Sequence, residues 1–178
     1  MRFGDVVKAG LSMALCLALA QCHARSAKTA GDAADLIAPP PPPGYAFTLS
    51  VALTEKAAAR LKNHPETLSI AAHYYGLPTP TTQAKADKDG VIDLGTTQKA
   101  ITAWGAPLVI NGVTYPQTAG VAFMGDDHPQ AALAGVANGK ALAQVKVTAP
   151  HDDLDCTRFQ DYVATAQSRQ ITLVCDVK

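Results

Sequence analysis

Residues 47–53 read FTLSVAL, a strict alternation that places Phe47, Leu49, Val51 and Leu53 on one face of an extended strand. Residues 68–75 (LSIAAHYY) repeat the pattern, with Leu68, Ile70, Ala72 and Tyr74 on one side. Further short strands are expected at 91–94, 100–104, 108–110, 113–115, 120–124 and 143–148. Asn111-Gly112 between apolar runs is the strongest local hairpin signal in the chain. Thr54 is a good N-cap for a short helix over TEKAAARLK, which must stop before Pro65. Many short strands with frequent turns predict a mainly β fold, an immunoglobulin-like or related β-sandwich with one short internal helix. Trp104, the single tryptophan, is expected as a core anchor.

The far end reads as a helix–strand unit. Asp155 is placed to cap a helix beginning at Cys156, with Phe159, Tyr162, Val163 and Ala166 on one helical face. Ile171, Leu173, Cys175 and Val177 then alternate onto one face of a strand. Cys156 and Cys175 are thereby expected in one interface, paired as a disulfide. Closing that loop stabilises by about 3 kcal/mol in the chain-entropy model.

The beginning has the order of a secretion signal. Arg2 and Lys8 outweigh Asp5, and an uncharged run, AGLSMALCLALA, extends to Ala20. That run is shorter than the roughly 20 apolar residues of a membrane span. Residues 1–20 are therefore expected to be a signal peptide. Ala18-Leu19-Ala20 is an A-x-A cleavage site that would leave Gln21 first. Leu19-Ala20-Gln21-Cys22 alternatively resembles a lipoprotein lipobox, from which Gln21 departs, since Gly, Ala or Ser is preferred there. Cysteine counting favours lipidation at Cys22. Of four cysteines, Cys16 leaves with the signal and Cys156 pairs with Cys175, so Cys22 remains over.

Residues 21–44 are expected to be a flexible Pro-rich tether. The five prolines at 39–43 make a polyproline II rod of about 15 Å at ~3.1 Å per residue. A PxxP ligand is the alternative use, and a spacer between anchor and domain is the simpler one. Residues 45–178 form one globular domain without an internal repeat. Basic and acidic side chains number 15 each; Arg2, Lys8 and Asp5 leave with the signal, so 13 and 14 remain. A near-neutral domain without a basic stripe argues against nucleic-acid binding.

Chemistry-bearing motifs are sparse. Asp87-Lys88-Asp89-Gly90 resembles part of an EF-hand loop, but Lys85 and Thr96 then occupy the terminal ligand positions, where calcium needs carboxylates. A turn before a strand explains it. There is no G-x-S-x-G, C-x-x-C or H-E-x-x-H. His151-Asp152-Asp153-Leu154-Asp155 and Gly125-Asp126-Asp127-His128-Pro129 are two polar loops, and if they met, His128 and His151 would be weak candidates for a metal site. Otherwise each is a solvated turn, and neither a metal nor another cofactor is expected. His73 and Tyr75 face away from Tyr74 and form a candidate binding edge.

FTLSVALTEKAAARLK, LSIAAHYYGLPTP, VIDLG, DCTRFQDYVA and ITLVC together resemble a group of small, exported, uncharacterised proteins of Gram-negative bacteria. The resemblance covers most of 47–178 and is loose between Thr96 and Val147. It implies an exported β-rich domain with a C-terminal Cys pair and brings no catalytic residues. The expected function is a non-catalytic binding domain facing the periplasm. It is membrane-anchored if Cys22 is lipidated and otherwise soluble in the periplasm or secreted. An immunity or inhibitor protein with a protein partner in the envelope is one version. A metal-assisted hydrolase using His128 and His151, and a cell-wall carbohydrate binder, are the alternatives.

Overall fold

The computed structural model describes residues 44–178. The expected signal peptide, the Cys22 lipidation site and the proline run at 39–43 lie outside the described residues.

Two four-stranded sheets pack as a β-sandwich. In chain order the strands are β1 (Phe47–Leu53), β2 (Leu68–Gly76), β3 (Ile92–Ile101), β4 (Leu108–Ile110), β5 (Val113–Tyr115), β6 (Gln117–Phe123), β7 (Leu142–Thr148), β8 (Leu154–Cys156), β9 (Phe159–Tyr162) and β10 (Thr172–Val177). The first sheet has the order β6-β1-β10-β8, the second β3-β2-β7-β9, and β4 pairs with β5 as a separate hairpin. All pairings within the sheets are antiparallel except β1 with β10. The alternations set the faces. Leu49, Val51 and Leu53 of β1 meet Leu68, Ile70, Ala72 and Tyr74 of β2 in one core. Phe47 stacks on Phe123 with ring centroids 5.1 Å apart, and Phe159 and Tyr74 close around it.

Helix α1 (Glu55–Asn63) begins where its cap is. The Thr54 hydroxyl oxygen accepts from the Ala57 N–H at 3.2 Å and donates to Asp176 at 2.7 Å. Ala57 and Leu61, four apart, are the buried residues of the helix. The β4–β5 turn also forms as expected, with Asn111 at φ 51° and Gly112 at φ 79°, the left-handed pair a tight hairpin requires.

Two expectations are corrected. The strands anticipated at 91–94 and 100–104 belong to one strand, β3, kinked by a bulge opposite Tyr74 and Tyr75. Gly95 supplies the bulge at φ 105°, and a Cβ there would sit 2.8 Å from the His128 ring. At the other end, no helix starts at Cys156 and Asp155 caps nothing. Residues 154–156 and 159–162 are strands, and α2 (Val163–Ser168) is a short helix. Long-range pairing overrides the helical spacing because β10 and β7 each offer a free edge there. Thr157 donates its N–H to the Val174 carbonyl, and its hydroxyl accepts from the Val174 N–H, both at 2.8 Å. Phe159 pairs with Val145.

The disulfide forms, by a different geometry. Cys156 and Cys175 are directly opposed on β8 and β10, with Cα atoms 4.0 Å apart. It staples neighbouring strands of one sheet rather than a helix to a strand. Trp104 lies outside the strands and is half-buried against the core. A disulfide within one sheet and a loop tryptophan both differ from antibody domains, where the disulfide joins the sheets over a strand tryptophan.

Candidate functional site

The polar loops at 125–129 and 151–155 do not meet. His128 is 7% exposed and packs on Tyr74 and Tyr45 near the end of β2. Its Nε2 shares a hydrogen bond with the Thr97 hydroxyl at 2.8 Å. His151 is exposed and its Nδ1 pairs with Glu66 at 2.6 Å, just before β2 begins. The six steps from Leu68 to Tyr74 separate the two by roughly 20 Å at ~3.3 Å per residue. Among the described residues, no group of three His, Cys, Asp or Glu side chains is placed to hold a metal ion.

His151, Asp152 and Asp153 of the 151–155 loop are engaged by residues of the same chain. Arg60 bridges Glu66 at 2.5 Å and Asp153 at 2.6 Å, tying α1 to the segments that enter β2 and β8. Burial is the largest single influence and would raise the Asp153 carboxyl, but the hydrogen bond and the charge of Arg60, with a backbone hydrogen bond and the nearby His151, together hold its pKa below the ordinary value. Burial likewise works against the Arg60 charge, and hydrogen bonds to Asp153 and Glu66 reverse that and raise its pKa. Asp152 takes the Lys178 ammonium at 2.7 Å. This is a clamp across one end of the sandwich.

His73 and Tyr75 lie on the outer face of the second sheet. Their strand, β2, runs between β3 and β7, so they occupy a sheet face and not a sheet edge. The rings stack at 5.7 Å. His73 pairs with Asp93 at 3.2 Å, and the Tyr75 hydroxyl accepts from Gln160, which in turn accepts from Gln144. The Gly95 backbone N–H is the main influence holding the Asp93 carboxyl low, helped by His73. The groups of this face largely bond one another. Inside, the Tyr74 hydroxyl is buried without a hydrogen-bond partner among the described residues, and burial, with the nearby Asp127 charge, pushes its pKa up.

The first sheet carries the larger opening. A groove of about 630 Å³ runs over Thr48 and Ser50 of β1 and Gly120 and Ala122 of β6, walled by residues 166–170. Its floor is small because every outward residue there is Thr, Ser, Gly or Ala. A second opening of about 290 Å³ lies on the other side of β6, where β3 and β6 face each other at the mouth of the sandwich. Lys99 leans across that mouth, with its ammonium 5.9 Å from the centre of the Phe123 ring. Among the described residues, no His, Asp or Glu lines either opening, so none of them is a general base beside Ser50 or Ser168 there. Nothing local in the chain marks this site, since a run such as TAGVAF looks like an ordinary strand and its place at an edge depends on distant pairing. Compared with protein-family models, curated proteins and solved structures, the chain matches none.

Proposed function

We propose that this chain is an exported, envelope-associated protein whose sandwich is a non-catalytic binding domain. The observation that carries the reading is the chemistry of the groove over β1 and β6. It offers hydroxyls, small apolar side chains and the cation of Arg169, with no base, acid or nucleophile pair in its lining. Such a surface recognises and does not transform. The signal-like segment at 1–20 and the Pro-rich segment at 21–44 support export and tethering, with Cys22 as the lipid-bearing residue. Among the described residues no helix is long and apolar enough to cross a membrane; the anchor in this reading is a lipid on Cys22. A protein that occupies an envelope-directed toxin, as an immunity or inhibitor protein does, is the concrete version.

Two measurements test it. Mass spectrometry of the mature protein should find a lipid-modified Cys22 at the N-terminus; a chain beginning at unmodified Gln21 removes the anchor. Crosslinking in intact envelopes should capture a defined protein partner, and repeated recovery of the chain alone would refute the binding role.

A further inference from the structure

Among the described residues, the outer side of β6 is bridged at Thr118 and left unpaired at Gly120 and Ala122. The Ser50 N–H is directed to Ile171 of β10, and the Thr54 N–H to Cys175, so the even-numbered residues of β1 face β10. Their partners on β6, Thr118, Gly120 and Ala122, therefore turn their N–H and C=O groups outward from the sheet. Thr118 confirms the direction, because its carbonyl accepts from the Gly105 N–H at 2.6 Å on that outer side. Beyond this single bridge, no strand among the described residues pairs with the outer side of β6.

The two openings border this stretch. Gly120, Val121 and Ala122 line both, one on each face of the sheet. A strand laid along β6 would send alternate side chains into the groove over β1 and into the mouth beside β3. A Cβ at Gly120 would meet nothing within 4 Å, so this floor is open. The charge beside each opening has one sign. Arg169 walls the first and Lys99 the second, and among the described residues no carboxylate lines either. Neither cation is in an ion pair among the described residues.

We propose that the outer edge of β6 at Gly120 and Ala122 is a docking site for an extended, acidic peptide segment of a partner protein, which adds a strand to the first sheet. The proposal rests on the binding role above and names its partner's chemistry. Up to four main-chain hydrogen bonds hold the segment, and carboxylates on its two faces meet Lys99 and Arg169. A second copy of this chain is a poorer occupant, because pairing β6 with β6 brings like cations together.

The test uses the full mature chain and a seven-residue peptide of valine and threonine with two adjacent central glutamates. Titration followed by backbone amide shifts should move Gly120 and Ala122 first and slow their hydrogen exchange. Replacing the glutamates by lysine should weaken binding at least tenfold, as should Lys99→Glu combined with Arg169→Glu. Ala122→Pro removes one outward N–H without touching the β1 pairing and should also weaken binding at least tenfold, while the far-ultraviolet spectrum stays unchanged. The proposal is overturned if the lysine peptide binds equally well, if the shifts map elsewhere, or if these amides are already protected in the free chain. Self-association through β6 in sedimentation would overturn it too. A partner captured in envelopes whose crosslinks avoid residues 118–122 would leave the binding role standing and refute this site alone.

Discussion

The first sheet has two edges, and they are built to opposite ends. The β8 edge is three residues long, stapled to β10 by the disulfide and surrounded by Asp152, Asp155, Arg158, Lys146 and Lys178. Short length and charge are how proteins close an edge to unwanted pairing. The β6 edge is seven residues long, carries no charged residue and exposes glycine and alanine. One sheet thus holds a blocked edge and a receptive one. The openness of β6 is therefore local, and β8 shows how this chain closes an edge where pairing is unwanted.

Five perturbations test that contrast. The largest is Val121→Pro. By the same register Val121 bonds inward to Leu49, so proline there removes a ladder bond and should destabilise by about 3 kcal/mol in urea unfolding. Ala122→Pro, one residue on, should change stability by less than about 1 kcal/mol. Equal losses would mean that the two sides of β6 are alike. Reduction of Cys156–Cys175 should cost about 3 kcal/mol. It should leave the amide shifts of residues 119–122 in place, since the staple sits two strands from β6. Gly112→Ala forces a Cβ into φ 79° and should cost about 1 kcal/mol by thermal or urea unfolding, without altering either edge.

The smallest effect is on pH dependence near the β8 edge. The folded pKa of Asp153 lies below its unfolded value of about 4. Its pairing with Arg60 therefore stabilises above that value, and the contribution is lost as pH falls through the folded pKa. The stability difference between the wild type and Asp153→Asn should be greatest near neutrality and should shrink below about pH 4. A difference that grows on acidification would reverse the assignment.

Local patterns were legible where neighbours in sequence decide the outcome. The alternations of β1 and β2, the Thr54 cap and the Asn111-Gly112 turn all form as the residues dictate. The Cys pairing was legible too, although its supposed helix was not. Phe159, Tyr162, Val163 and Ala166 fit a helical face, yet Tyr162 is 40% exposed and the backbone before it is taken by β7. The polar run at 95–98 hid the continuity of β3, because an edge strand need not bury both faces. His128 read as a loop residue and is instead buried among aromatic rings brought together from β2 and from the segment before β1. Which strand ends a sheet is decided by pairings far apart in the chain, so the site along β6 had no local signature.

Amide hydrogen exchange on the free, full-length mature protein tests the openness of the β6 edge directly. Protection along β6 should alternate: Ala119 and Val121 slow, because they bond to β1, and Gly120 and Ala122 fast, because they face outward. Uniform protection from Ala119 to Ala122 would mean that the edge is already covered, and would contradict it.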